Sequence, residues 1–489
     1  MSERRATRNA ASSVAQTVLS ALLLFGLYRY LLGAVGADGI GVWSVVLAST
    51  GAARVADLGL TGSAVKYVAA YLARGDGATA AEVAETTVVT VAAVIGAMAL
   101  GAYAAVGALL PLVIPPEGLA AARELLPWAC VSFWLVSVAG AAQSGLDGCA
   151  RYTVRNAILL GAQALYVGLA VGLVGPYGLV GLAWAQIAQG AAWSVALWAA
   201  LRRALPEASP VPFRWRGALV REMLGYGAGF QALGVLRMLY EPTTKALMSR
   251  YGGLDAAGLY EMATLAVTKL RALLVAAQQV LTPEVAALQE RAPERVAAVY
   301  READRLNWAL TLPLFAGVAA GAPLLSHVWL GGFDARFVLF SGVLAAGWFA
   351  NTLSGPAFFL LLGTGEMRPV VWSHVTIGAA NAAAGLALGE ALGAGGVAAG
   401  WALALGAGAA HLLGWLWRER RLGLSAGVGA YSAVVLGAAA AALALALRWP
   451  QSPAVAAAAA AAFGLVGAVA LWRTPARARI AAVLGSAFG

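Results

Sequence analysis

The feature that most constrains this chain is the repetition of one kind of segment, an apolar run of about twenty residues. Short basic or turn-rich stretches set these runs apart. A helix of that length spans the ~30 Å hydrocarbon core of a bilayer. Helices and closed barrels alone satisfy their own backbone there. Fourteen runs are expected, near 11–33, 40–60, 83–110, 124–146, 154–174, 178–200, 218–240, 256–281, 306–330, 337–362, 370–390, 395–417, 426–447 and 453–472. The stretches PLVIPPEG, GPYG, LGGFD, GTGEMRP and RWPQSP read as turns between them. Only 11% of the residues are charged and 61% are hydrophobic, whereas a soluble domain carries about 25% charge. The fold class is therefore all-α and polytopic in a membrane.

The net charge of +10 does not point to nucleic acid, because the basic residues crowd into short loops between spans. With the N-terminus cytoplasmic, most of them fall on one side, as the positive-inside rule requires. Five lie outside: Arg123, Lys245, Arg250, Arg336 and Arg448. Both termini then come out cytoplasmic, in a multi-pass protein of the cytoplasmic membrane. The first apolar run follows RRATR without an A-x-A cleavage site and reads as an uncleaved helix. Cys130 and Cys149 are too few for a disulfide framework or a metal cluster and read as packing residues. The longest outer loop is expected at 241–255. The mixed-charge stretch PEVAALQERAPERVAAVYREADR reads as a solvated amphipathic segment.

Five cations fall inside spans, where no orientation rule accounts for them: Arg29, Arg54, Arg237, Lys269 and Arg271. An arginine at a bilayer centre costs roughly 2.5–3.5 kcal/mol on insertion scales, so such residues mark pathways or paired networks. Two segments share a layout. DGIGVWSVVLASTGAARVADLG begins at Asp38, and DAAGLYEMATLAVTKLRALLVA begins at Asp255. Gly41 then matches Gly258, Trp43 matches Tyr260 and Arg54 matches Arg271. Gly178 in PYGLVGLAW matches Gly396 in AGGVAAGW at almost the same offset. Six spans separate the copies, an even number, so the repeat is parallel about an axis along the membrane normal. The expected domains are an N-lobe (1–201), a Pro-rich linker (202–217), a C-lobe (218–421) and a C-terminal helix pair with a basic tail (422–489).

The run from Asp38 to Arg74, with Gly41, Trp43, Asp57-Leu58-Gly59-Leu60, Lys66 and Arg74, resembles the second-helix region of polysaccharide and O-antigen flippases. These belong to the multidrug/oligosaccharidyl-lipid/polysaccharide (MOP) exporter superfamily. The segment from Gly258, ending at Pro283, is similar to their eighth-helix region. The resemblance implies flipping of a polyprenyl-pyrophosphate-linked oligosaccharide between leaflets, without enzymatic chemistry. It matches Arg29, Arg54 and Arg271 by helix to the cavity arginines of the related lipid II flippases. No G-x-x-x-x-G-K-[ST] is present, so the expected drive is H⁺, Na⁺ or the membrane potential rather than ATP, and no cofactor is expected.

Arginine suits a pyrophosphate because its planar fork bonds two oxygens and stays charged. Arg54 and Arg271 are the expected anion ligands, with Lys269, Arg29 and Arg237 adding field and Asp57, Gln16, Gln163, Gln278, Asn381, Trp372 and His374 in support. Each has a structural rival. Arg54 and Asp57 stand at i, i+3, and Arg237 and Glu241 at i, i+4, close enough to pair on one helix face. Arg29 snorkels outward in the alternative reading, and His374 is either a proton carrier or a packing residue. The expected partners are the lipid-linked glycan and the bilayer, with a monomeric chain that associates with polysaccharide-synthesis enzymes. The alternatives are a cation-coupled drug or metabolite exporter of the same superfamily, and a membrane glycosyltransferase, polymerase or ligase. The shortness of the outer loops argues against the enzymes.

Overall fold

In the computed structural model, residues 3–51, 60–279, 281–424 and 429–474 are described, without the side chains of 3–11, 13, 14, 51, 225–239, 276, 277, 283, 284, 286, 287 and 290. Among them the long elements are all α-helices: α1 (Glu3–Gly51), α2 (Leu60–Ala73), α3 (Gly77–Val113), α4 (Pro116–Gly148), α5 (Tyr152–Ala204), α6 (Gly217–Gln278), α7 (Leu281–Arg291), α8 (Val296–Leu330), α9 (Ala335–Leu353), α10 (Gly355–Thr364), α11 (Met367–Arg420), α12 (Ala430–Arg448) and α13 (Pro453–Trp472). Nine helical stretches among these residues are long and apolar enough to cross a membrane.

Four of the helices are too long for one crossing, and all four break at glycine. At 1.5 Å per residue, the 53 residues of α5 and the 54 of α11 would run for about 80 Å. They bend at Gly178 (φ 54°, ψ −137°) and Gly393 (φ 62°, ψ −142°). α1 and α6 break at Gly36 (φ 70°, ψ 178°) and Gly253 (φ 82°, ψ 175°). Positive φ at these ψ values is open to glycine almost alone. The dihedrals match in pairs, Gly36 with Gly253 and Gly178 with Gly393, so the counterpart of the Gly178 break is Gly393 and not the expected Gly396. The arms of α11 lie back on each other, since Ser373 Oγ donates to the Gly408 carbonyl (2.9 Å) and Gly400 sits against Gly385.

Turn chemistry sets the other boundaries. Asp76 caps α3 by accepting from Thr79 N–H (2.9 Å), and Asp334 caps α9 by accepting from Arg336 and Phe337. Gly331 and Gly365 end α8 and α10 in the left-handed conformation.

The chain forms two compact units, Met1–Gly258 and Leu259–Gly489. The first is cored by Leu60, Val68, Val88, Ile95, Phe133 and Leu201, contributed by α2 to α5. Within it Gly41 and Gly258 make reciprocal close approaches. A Cβ on Gly41 would strike the Leu254 carbonyl, and one on Gly258 would strike the Ala37 carbonyl. In the second unit α9 packs between α8 and α11, where Gly347 admits the backbone of Ala402. The α12–α13 pair closes on α8 through Val435, Ala442, Ala459 and Phe463.

Two expectations are corrected. Residues 241–252, expected as an outer loop, continue α6 as helix, with Glu241 paired to Lys245 at 2.6 Å. The helix outruns its apolar stretch because its polar turns still satisfy their own backbone. The stretch 283–305 is not simply solvated: Val285, Tyr300 and Asp304 are buried. Its periodicity concealed a packed face. The Pro-rich linker is fastened along α3.

Candidate functional site

The embedded cation with the fullest described surroundings is Arg271. It lies half-buried on the second arm of α6, and its guanidinium stacks over the Trp348 ring, 4.2 Å from the centroid. Arg271 Nη2 donates to Asn351 Oδ1 at 3.2 Å. Trp348 and Asn351 are one turn apart on α9 and so present the same face. Trp348 is held edge-on by the buried Trp401 of α11, with centroids 5.9 Å apart.

Seven residues further along α6, on the same face as Arg271, Gln278 Nε2 donates to Asn307 Oδ1 (2.5 Å). Asn307 is buried on α8 and is a hub. It also accepts from Thr311 Oγ1 (2.9 Å) and donates through Nδ2 to the Thr352 carbonyl (2.9 Å). Proline explains that last bond. Pro356 lacks the N–H that would reach Thr352 four residues back, and Asn307 joins the Ser354 N–H in serving that carbonyl. Pro313 repeats the device, because the Ala309 carbonyl it frees accepts from Tyr431 Oη at 2.6 Å.

The result is a polar seam joining α6, α8 and the end of α9. One persistent positive charge is oriented there by an amide oxygen and an aromatic face. Such a group binds anions with oxygen forks. Lys269 is half-buried on the same arm of α6. Beside Leu270, between Lys269 and Arg271, lies an apolar cavity of about 530 Å³ lined by Pro313, Gly317, Gly321 and Phe463.

The other expected site residues are dispersed. Arg54 and Asp57 lie outside the described residues, as does the side chain of Arg237. Arg29 is exposed on α1, between buried Tyr28 and Tyr30, whose hydroxyl donates to the Val171 carbonyl (2.9 Å). Gln16 is half-buried on α1, and Gln163 accepts from Gln189 at the outer limit of hydrogen bonding, 3.5 Å. On α11, Asn381 is buried, Trp372 is exposed and His374 meets the edge of Phe358 with centroids 6.1 Å apart. Of the expected residues, the α6 arm sets Arg271 and Gln278 on one face, with Lys269 turned away from them. Sequence reasoning missed Trp348, Asn351, Asn307 and Thr311, although an amide in an apolar span was the signal that singled out Gln278. It also missed a polar cavity of about 460 Å³ in the first unit. There Asp147 holds Arg155 at 2.9 Å, beside Gln143, Ser137 and Trp193.

Residues 118–332 match the family model described as polysaccharide biosynthesis protein. Comparison with curated proteins found no match. Among solved structures, the lipid II flippase MurJ in an inward closed conformation superposes with a TM-score of 0.68 at 10% identity, covering 95% of this chain and 98% of its own. An inward-facing multidrug resistance MATE transporter of the MOP superfamily gives 0.63 at 15% identity, over 84% of this chain and 98% of its own. A MOP transporter from Pyrococcus furiosus, described as having a binding pocket of reversed polarity, gives 0.55 at 15%, over 86% and 94%. The chain has the MOP-superfamily fold. In that fold Arg271 and its partners fall on elements of one unit, and the similar solved chains are a flippase and transporters.

Proposed function

We propose that this MOP-fold chain flips a polyprenyl-pyrophosphate-linked oligosaccharide across the cytoplasmic membrane, by alternating access, in the assembly of a cell-surface polysaccharide. The observation that carries the reading is Arg271, a guanidinium on the second arm of α6, set over the Trp348 ring and bonded to Asn351. A half-buried cation so arranged fits an anionic cargo. The polysaccharide-biosynthesis match over 118–332 supports a glycan cargo. The likeness to MurJ supports a lipid-linked one. Arg271 bonds the pyrophosphate, and Arg54, Lys269, Arg29 and Arg237 add positive field along its path. The cavity beside Leu270 suits an isoprenoid chain, being apolar and lined by small residues. An ion gradient or the membrane potential supplies the drive. The chain works as a monomer with both ends in the cytoplasm, passing its cargo on to polysaccharide-assembling enzymes.

The test is leaflet-resolved flipping of a fluorescent polyprenyl-pyrophosphate oligosaccharide in proteoliposomes. A charge-assisted hydrogen bond contributes about 1.5–3 kcal/mol, so Arg271→Ala is expected to slow flipping roughly 10- to 100-fold. Arg271→Lys keeps the charge, loses the fork and falls between. Flipping by Arg271→Ala at the parent rate removes the residue from the mechanism. The likeness to MATE transporters keeps one rival alive. Efflux of small organic cations by the parent, with no flipping of any polyprenyl donor, establishes that exporter reading instead.

A further inference from the structure

The stretch between α5 and α6, LPEASPVPFRWR at 205–216, carries three alternating large apolar side chains on one side. Val211, Phe213 and Trp215 are 68%, 69% and 60% exposed. Alternation by two is the signature of an extended chain, and Pro210 and Pro212 hold the backbone extended. The other side of the strap is anchored. Glu85 of α3, fully buried, accepts from Ser209 N–H (2.8 Å), Arg214 N–H (3.1 Å), Arg214 Nε (3.0 Å) and Arg214 Nη2 (2.6 Å). Trp198 Nε1 donates to the carbonyls of Ser209 and Pro210 (both 3.2 Å), and Arg216 pairs with Glu82 at 2.9 Å. With its polar side committed to α3, the strap holds the apolar trio outward.

The depth of the strap follows from α3. That helix carries Glu82 and Glu85 in its first turns and is almost wholly apolar from Val88 onward. Trp215 Nε1 donates to Thr90 Oγ1 (3.0 Å), so the indole sits where α3 passes from polar to apolar. Tryptophan favours that boundary because its ring is amphipathic. Flanking the trio in the sequence are the exposed cations Arg202, Arg203, Arg216 and Arg221. Apolar insertion together with a basic patch is the two-signal pattern that binds a membrane surface.

We propose that the strap 205–216 is an interfacial anchor. Val211, Phe213 and Trp215 enter the headgroup–acyl boundary of the leaflet they face, and Arg202, Arg203 and Arg221 bind the anionic headgroups of its phospholipids. The inference requires that α3 crosses a membrane and is independent of the proposed cargo. Charge complementarity selects the anionic lipid over a neutral one. The pinning by Glu85 makes the site a built feature of the fold rather than a floppy loop.

The test uses full-length protein in nanodiscs of phosphatidylcholine, alone or mixed with phosphatidylglycerol. Phe213→Cys takes a maleimide spin label at neutral pH, since Cys130 is buried and burial holds the Cys149 thiol protonated. The label is expected to collide with oxygen more than with a water-soluble nickel chelate. Native mass spectrometry of the parent is expected to retain phosphatidylglycerol over phosphatidylcholine. That preference should fall roughly fivefold per arginine in R202Q/R203Q/R221Q. A label open to nickel in both nanodiscs overturns the proposal. So does a label shielded from both reagents, which means that protein covers the trio. Unchanged phosphatidylglycerol retention in the triple variant removes the headgroup site.

Discussion

Asn307 offers the sharpest test of how the polar seam is built. Asn307→Ala takes a described partner from three groups: the Thr352 carbonyl, Gln278 Nε2 and Thr311 Oγ1. Interhelical hydrogen bonds in membrane proteins average about 0.6 kcal/mol and reach about 1.7. Losing three is expected to cost about 2–3 kcal/mol, because buried unsatisfied groups lie at the upper end. The origin of one of these bonds can be tested separately. Pro356→Ala restores an N–H four residues beyond Thr352, letting the helix close its own bond to that carbonyl. In the Asn307→Ala background this rescue is expected to make the double variant about 1 kcal/mol less damaging than the sum of the singles. Reversible unfolding by sodium dodecyl sulfate in mixed micelles, run on all four proteins of the cycle, reads the coupling directly. Costs that add to within about 0.3 kcal/mol would show that Asn307 is not there to serve the carbonyl freed by proline. The reasoning about both prolines would then fail.

Glu85→Ala removes a buried carboxylate from Arg214 and from two backbone N–H groups. It is expected to cost about 3–5 kcal/mol and to raise hydrogen exchange across 205–216, whereas a strap held by its prolines alone would show no change. Gly41→Ala and Gly258→Ala each drive a Cβ into a backbone carbonyl, and each is expected to cost at least about 1–3 kcal/mol in the same micelle assay. Equal stability in both would deny the close approach. The Cys149 thiol is pushed up from 9.0 to about 11 by burial, against the opposing pull of Arg151. Its maleimide reaction at pH 8 should run ~100-fold slower than that of an exposed thiol. This raised group stabilises the fold below its unfolded value, so that contribution is lost as pH climbs from 9.0 toward about 11. Alkylation at the free-thiol rate refutes the burial.

Apolar length and charge alone determined the class of this protein. Runs of about twenty apolar residues leave a chain no choice but helices in a bilayer, and the turn signals at Gly331, Gly365 and Ser452 marked helix ends because they act within four residues of themselves. The matched pair Gly41 and Gly258 was legible because a backbone approach too close for any Cβ leaves glycine at both positions. Arg271 could be singled out because a charge in an apolar run is conspicuous without knowing its neighbours.

The neighbours themselves belonged to the tertiary structure. Asn351 and Asn307 lie 80 and 29 residues from the side chains they bond, and Arg214 lies 129 from Glu85. The linker composition at 205–216 spelled only an extended chain. Packing decided that a buried carboxylate would fasten one of its edges and turn the other outward. Hydropathy is a property of each segment and is written locally. A hydrogen bond between helices depends on which faces meet and at what register, and the folded chain alone fixes that.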